Sequence, residues 1–134
     1  MTLIVDASVA IKWVISEAGS DRAAALFDSD ALAAPSFWLV EAANALWKHW
    51  RRKMLSGEEV RERIRALAAL PIESIEDGAL VDTAVGFSIG IDHPVYDCHY
   101  LAAAVLRNTA LVTADALFFA KVSGSPFAAH IRLL

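Results

Sequence analysis

Four acidic residues stand in apolar stretches of the sequence, where a solvated carboxylate is not expected. They are Asp6, Glu41, Asp97 and Asp115. Glu41 is the most informative, because three apolar residues precede it, two alanines follow it, and no basic residue lies one helical turn away. Burial of a lone carboxylate is strongly unfavourable unless the group is protonated, paired or bound to a metal. The four acids therefore indicate a site with its own chemistry.

Convergence of these acids would require a counter-charge. Carboxylates cannot all remain ionised near one another unless some take up protons or a hard divalent cation lies between them. Oxygen ligands without a histidine or cysteine cluster select Mg²⁺ or Mn²⁺ over zinc. Such a cation suits phosphate chemistry, because it activates water and stabilises the charge that develops on a phosphodiester. We interpret the histidines as structural or surface residues: His49, His93, His99 and His130.

The same residues also have interpretations without chemistry. Asp97 lies in the opening turn of a helix that starts with a proline, where the helix dipole favours a carboxylate in any case. Asp115, or Thr113 before it, could cap the last helix. Asn44, three residues after Glu41, could orient that carboxylate, bind a ligand oxygen or serve as a buried amide. Taken one at a time, these segments leave the alternatives open.

Short apolar runs alternate with helical patterns along the chain. Strands are predicted over 3–5, 31–34, 72–75, 110–113 and, at an edge, 131–133. Helices are predicted over 7–14, 21–27, 37–54, 60–70, 77–89, 94–108 and 116–122. This alternation predicts a single α/β domain over residues 1–134, a three-layer α/β/α fold with a short central, mainly parallel sheet. Because sites form at the carboxyl ends of parallel strands, Asp6 and Asp115 should face one crevice.

The helices carry further local signals. Ser36 is the predicted N-cap of the longest helix, and Gly90 is expected to end the helix over 77–89. The apolar face of the longest helix is expected to hold Phe37, Val40, Ala43 or Asn44, Trp47 and Trp50. We interpret Trp47 and Trp50 as core or dimer packing rather than as a surface for base stacking. Asp92 could extend the acidic site or cap the helix that follows, and we prefer the cap.

Bulk composition bounds the class of protein. The 134 residues suit one domain, and the 57% hydrophobic content suits a sheet covered on both faces, with apolar surface left for a partner. The first apolar run is broken by Asp6 and lacks a basic leader, and the region over 31–47 is too polar for a membrane span. We expect a cytoplasmic oligomer that does not contact membranes. The single cysteine, Cys98, excludes an internal disulfide and is interpreted as a small buried residue.

Basic residues are unevenly distributed. The net charge is −4, yet seven of the twelve lysines and arginines lie between positions 48 and 65. That region could bind phosphate groups, or it could be a solvated helical face. The candidates for binding RNA or a partner protein are Lys48, Arg51, Arg52, Lys53, Arg61 and Arg65.

Four segments, taken in order, resemble the PIN-domain family. They are residues 4–13 (IVDASVAIKW), 38–47 (WLVEAANALW), 95–102 (VYDCHYLA) and 111–115 (LVTAD). More narrowly, they look like the VapC toxins of bacterial and archaeal toxin–antitoxin pairs. The resemblance covers essentially the whole chain, and each segment carries one of the four acids in register.

The resemblance implies a Mg²⁺- or Mn²⁺-dependent endoribonuclease that hydrolyses RNA to a 5′-phosphate and a 3′-hydroxyl. Its metal-binding and catalytic acids would be Asp6, Glu41, Asp97 and Asp115. Supporting polar groups are implied at Ser8, Asn44 and Thr113. The resemblance also implies a homodimer and inhibition by a VapB antitoxin whose C-terminal segment reaches into the groove. Operator DNA would be bound only through the antitoxin.

Two other classes of function compete with this one. A PIN-like module without catalytic activity could bind RNA or protein, although the presence of all four acids argues against it. An aspartyl-phosphate phosphatase on a similar fold would need a second acid two residues after Asp6, where Ser8 stands. The expected function is therefore that of a toxin nuclease.

Overall fold

The computed structural model describes every residue from Met1 to Leu134. The strands are β1 (Thr2–Val5), β2 (Ala31–Pro35), β3 (Ile72–Ile75), β4 (Leu111–Thr113) and β5 (Ile131–Leu133). The α-helices are α1 (Ala7–Ala10), α2 (Ser20–Ser29), α3 (Trp38–Arg51), α4 (Gly57–Ala68), α5 (Val81–Ile91), α6 (Val95–Leu106) and α7 (Ala116–Ser123). Short 3₁₀ helices occur at Ile11–Trp13, Asp77–Ala79 and Ala128–His130. None of the helices has both the length and the apolar character needed to span a bilayer.

All five strands form one parallel sheet in the order β3-β2-β1-β4-β5. Successive side chains of a strand point to opposite faces, so β1 contributes to two cores. Ile4 packs into the larger core with residues of α3, α5 and α6, whereas Leu3 and Val5 pack into a smaller core with residues of α1 and α2. The predicted three-layer α/β/α fold is confirmed, and every strand pair is parallel.

Helix α6 lies deepest in the larger core. Its residues 98–104 are all buried, and the helix contacts β1, β2 and β4. Four of these seven side chains are cysteine or alanine, which allows the helix to approach the sheet closely. Burial of Cys98, together with the charge of Asp97, raises the pKa of the thiol to about 11. The interpretation of Cys98 as a small buried residue is confirmed.

The prediction of which face of the longest helix is buried is wrong. Its buried residues are Trp38, Ala42 and Leu46. The large side chains of the expected face are exposed: Val40 at 72%, Trp47 at 42% and Trp50 at 49%. Two apolar stripes run along α3, and the one that begins at Trp38 is buried in the larger core. Core packing is therefore excluded for Trp47 and Trp50, whereas dimer packing stays a prediction.

The prediction that Ser36 caps the longest helix is also wrong, because Phe37 is the N-cap of α3 and no side chain caps the helix. The Ser36 hydroxyl does not cap the helix but donates to the carboxylate of Asp77, 2.8 Å away. The other Asp77 oxygen accepts the backbone N–H of Phe37 at 3.3 Å. A carboxylate in the segment after β3 thus holds the two residues that precede α3.

The predicted ends of α5 and α6 are wrong by two residues each. Gly90 lies inside α5, and the helix ends at Asp92, which has a φ of +51°. Asp92 therefore terminates the preceding helix and does not cap the following one. Pro94 occupies the N-cap position of α6 but makes no capping hydrogen bond, and Val95 is the first helical residue. The first predicted helix, over 7–14, is a single α-turn followed by a 3₁₀ turn.

Candidate active site

The candidate site lies where the order of the strands reverses. The chain adds β2 and β3 on one side of β1, and β4 and β5 on the other, so the connections after β1 and β4 diverge and open a crevice at their carboxyl ends. A cleft of about 910 Å³ occupies this position. All four acids line it: Asp6, Glu41, Asp97 and Asp115.

Asp6 is the most buried of the four, with 5% of its surface exposed. The Ser8 hydroxyl donates to one carboxylate oxygen and the Thr113 hydroxyl to the other. The backbone N–H of Val9 adds a third donor at 3.2 Å, so Asp6 is also the N-cap of α1. Burial outweighs these hydrogen bonds and, with the charge of Asp97, raises the pKa of Asp6 to about 6.

The hydroxyls of Ser8 and Thr113 connect β1 to the segment after β4. Ser8 Oγ accepts the backbone N–H of Ala114 at 2.9 Å, and Thr113 Oγ1 accepts the backbone N–H of Asp115 at 3.1 Å. Asp115 in turn caps α7, because its Oδ1 accepts the backbone N–H groups of Leu117 at 3.0 Å and Phe118 at 3.1 Å. The structure thus gives Asp115 the capping geometry and also places it on the cleft.

Glu41 reaches the cleft from the first turn of α3. Its Oε1 accepts a hydrogen bond from the Tyr100 hydroxyl at 2.6 Å. Burial raises the pKa of Glu41, the Tyr100 hydrogen bond opposes that rise, and the charge of Asp97 adds to it. Tyr100 is itself fully buried, and burial together with Glu41 raises the pKa of its phenol, so it remains a permanent donor.

Asp97 lies in the first turn of α6, as the sequence predicts. Its Oδ2 is 2.6 Å from Nε2 of His93. Because an ionised carboxylate only accepts, the imidazole nitrogen is the donor. The side chain of Asp97 is 32% exposed and that of His93 is 11% exposed, so the pair lies at the edge of the cleft rather than in bulk solvent.

The cleft concentrates negative charge. The charge of Asp97 raises the pKa of both Asp6 and Glu41, so Asp97 repels the other two carboxylates. Each is held by donors of the protein, and as placed no three histidine, cysteine or acidic side chains are close enough together to hold a metal ion. Four carboxylates are chemically the ligands of a hard divalent cation. Several of them would have to turn towards a common point to hold one.

Few basic side chains line the cleft. Lys12, Lys48 and His49 are among its lining residues. Of the six basic candidates from the sequence, only Lys48 lines the cleft; Arg51, Arg52, Lys53, Arg61 and Arg65 do not. Arg65 is paired with Glu58 at 3.2 Å on the exposed face of α4.

Asn44 lines the cleft but does not touch Glu41 through a hydrogen bond, and its side chain is exposed. The interpretation as a buried amide is therefore wrong. The position of Asn44 fits the alternative in which it meets a ligand oxygen. Asp92 does not line the cleft, so it does not extend the acidic site.

Sequence reasoning missed four residues in or beside the cleft. His93 and Tyr100 hold two of the acids, Lys12 lines the wall near Ser8 and is paired with Glu17 at 3.0 Å, and Asp77 lines the wall near Phe37. Tyr100 follows Asp97 by three residues, which places both on neighbouring turns, but its partner Glu41 is 59 positions away. Only the folded chain identifies such a partner.

Comparison with known proteins agrees with this architecture. The PIN domain family model matches residues 3–124. Ribonuclease VapC3 of Pyrobaculum aerophilum is 32% identical over 122 residues, which cover 86% of this chain and 90% of that protein.

Solved structures show the same fold at lower identity. A crystal structure of a protein from Pyrobaculum aerophilum has a TM-score of 0.73 at 22% identity, covering 93% of this chain and 82% of that one. VapBC2 from Rickettsia felis, bound to a DNA fragment from their promoter, has a TM-score of 0.68 at 15% identity, covering 99% and 98%. A toxin–antitoxin complex from Klebsiella pneumoniae has a TM-score of 0.63 at 16% identity, covering 97% and 95%. With the family match over most of its length, the chain belongs to the PIN-domain family and stands among its VapC-like members.

Proposed function

We propose that this protein is the toxin of a type II toxin–antitoxin pair and acts as a divalent-metal-dependent endoribonuclease. The observation that carries the proposal is the convergence of four carboxylates on one cleft at the carboxyl ends of β1 and β4. The name of the 32% identical relative, a VapC ribonuclease, supports RNA as the substrate.

Mg²⁺ or Mn²⁺ fits the donor set, since the cleft offers carboxylate oxygens and no cysteine. The residues that would hold the cation are Asp6, Glu41, Asp97 and Asp115. When bound, such an ion activates water and neutralises charge that develops on the phosphodiester. Relief of the repulsion among Asp6, Glu41 and Asp97 would favour its binding.

The chain's own residues then divide between orientation and substrate binding. The hydroxyls of Ser8 and Thr113 orient Asp6, and the phenol of Tyr100 orients Glu41. Lys48 lines the cleft, where an ammonium group can bind the phosphates of RNA. The exposed basic residues at the end of α3 would extend that contact: Arg51, Arg52 and Lys53.

We further propose a VapB-type antitoxin as the inhibitory partner and a homodimer as the working assembly. Toxin–antitoxin complexes among the structural relatives support the first, and one of them was crystallised with promoter DNA. The exposed apolar side chains of α3, Trp47 and Trp50, are available for a protein contact. DNA contact through the antitoxin and a cytoplasmic location complete the proposal.

Cleavage of a mixed cellular RNA pool tests this function. The protein, purified free of any antitoxin, is incubated with Mg²⁺, Mn²⁺ or EDTA, and the termini of the products are determined. Asp97→Asn removes one cleft carboxylate. Asp92→Asn is the matched control, because that acid lies five residues away and outside the cleft, and asparagine tolerates its positive φ.

Discrete fragments with 5′-phosphate and 3′-hydroxyl ends are expected with either metal. They should disappear with EDTA and in Asp97→Asn, and persist in Asp92→Asn. A folded protein that cleaves no RNA under any metal, yet retains RNA or protein, would instead be the binding module. Equal cleavage by both variants would show that the acids of the cleft are not the site.

A further inference from the structure

His93 contacts an acid of the cleft although it lies outside α6. It precedes Pro94, the N-cap of that helix, and its Nε2 donates to Oδ2 of Asp97 at 2.6 Å. No other protein donor reaches Asp97, whereas Asp6 has three donors. The orientation of the Asp97 carboxylate therefore depends on one imidazole.

The imidazole is fixed on both sides. The backbone of His93 is tied to the end of α5, since its N–H donates to the Ser88 carbonyl at 3.2 Å and its carbonyl accepts the Ser88 hydroxyl at 2.6 Å. Its ring packs against that of Phe118 in α7, with ring centroids 4.6 Å apart. Because α5 and α7 both hold His93, its imidazole donates to Asp97 Oδ2 from a fixed position.

We propose that His93 is a positioning residue for Asp97. It holds Oδ2 and leaves Oδ1 as the oxygen that Asp97 can offer to a divalent cation in the cleft. The inference rests on the proposed metal-dependent function. Partners of this kind, which orient a metal-binding carboxylate without touching the metal, typically contribute about 10–100-fold to metal affinity.

The test uses Mn²⁺ alone as the probe. The free ion is counted by its electron paramagnetic resonance signal during titration of the whole protein, and thermal unfolding with EDTA is measured in parallel. His93→Phe keeps a ring against Phe118 but removes the donor, whereas His93→Gln restores an N–H. His130→Phe is the matched control, because it removes a histidine hydrogen bond, 2.7 Å to the Thr109 carbonyl, away from the cleft.

His93→Phe is expected to weaken Mn²⁺ binding about tenfold, and His93→Gln to recover most of that loss. His130→Phe should alter thermal unfolding without altering Mn²⁺ affinity. Unchanged Mn²⁺ affinity in His93→Phe, or equal loss in the phenylalanine and glutamine variants, would overturn the positioning role while leaving the proposed function intact. A wild-type protein that binds no Mn²⁺ would overturn the proposed function and this inference with it.

Discussion

Two sides of the cleft hold their carboxylates in different ways. On the strand side, Asp6 accepts from two hydroxyls and one backbone N–H, and Asp115 accepts from two backbone N–H groups. On the helix side, Glu41 and Asp97 each accept from a single side chain. Loss of one donor therefore leaves the strand-side acids held, but it releases a helix-side acid completely.

This difference predicts which substitutions of hydrogen-bond donors displace a cleft carboxylate. Hydrogen bonds to charged groups contribute roughly 1.5–3 kcal/mol each, and a group with several donors keeps its position when one is lost. The strand side holds its carboxylates with several donors at the switch point of the sheet, whereas each helix-side carboxylate depends on one side chain for its orientation.

The largest effect is expected from removing charge on the strand side. Asp6→Asn keeps the size of the side chain and one acceptor oxygen but removes the charge from the most buried acid. RNA cleavage should fall by more than about 100-fold, because even outer partners of metal ligands contribute 10–100-fold. Single-turnover cleavage with saturating Mn²⁺ measures the loss. Near-normal cleavage would mean that the strand side only supports the fold.

The pH dependence of stability tests the burial of the same group. Folding raises the pKa of Asp6 from its ordinary value of 3.8 to about 6, so the folded state binds this proton more tightly than the unfolded state. The contribution of Asp6 to the free energy of unfolding in EDTA should therefore decrease as the pH rises from about 4 to about 7, by on the order of 3 kcal/mol.

Asp6→Asn isolates that contribution. Urea unfolding of both proteins in EDTA across this pH range should show the variant gaining stability over the wild type as the pH rises. A difference between the two proteins that does not change with pH would contradict the burial of an ionisable Asp6.

A smaller but sharper effect is expected on the helix side. Tyr100→Phe removes the only donor to Glu41 and leaves the ring in the core. Cleavage at limiting Mn²⁺ should fall about tenfold, with recovery as Mn²⁺ is raised, because the lost orientation weakens metal binding first. The measurement is cleavage rate against Mn²⁺ concentration. Loss that Mn²⁺ cannot restore would indicate a role for Tyr100 in the fold instead.

The smallest effect is expected from Ser8→Ala. Two donors to Asp6 remain, the Thr113 hydroxyl and the Val9 N–H, so cleavage should fall less than in Tyr100→Phe. The unpaired N–H of Ala114 should still lower stability by about 1 kcal/mol. Parallel cleavage and urea-unfolding measurements on the two variants compare the two sides directly. A greater loss of cleavage in Ser8→Ala would reverse the comparison.

The same contrast explains what could be predicted from the sequence. The strand-side acids follow short apolar runs, so their convergence follows from the parallel sheet alone. The fold was predictable for the same reason, since strands and helices alternate. Which stripe of α3 is buried was not predictable, because Trp38 and Trp47 belong to two apolar stripes that both have helical spacing.

Hydrogen-bond partners that are far apart in the sequence could not be predicted, for a physical reason. The acceptor of the Phe37 N–H, just before α3, is Asp77, 40 positions later in the chain, and the donor to Glu41 is Tyr100. Nothing local distinguishes these side chains from surface or core residues. Asp77 and Tyr100 find their partners, Phe37 and Glu41, only in the folded chain.

Anomalous diffraction from a crystal grown with Mn²⁺ shows whether the cleft binds a divalent cation. A peak is expected in the cleft, contacted by carboxylates from both sides, with Asp6 retained on its hydroxyl donors and Asp97 on His93. No peak is expected in crystals of Asp6→Asn. A Mn²⁺ peak outside the cleft, or a cleft without Mn²⁺ in a protein that cleaves RNA, would show that the four acids are not the metal site.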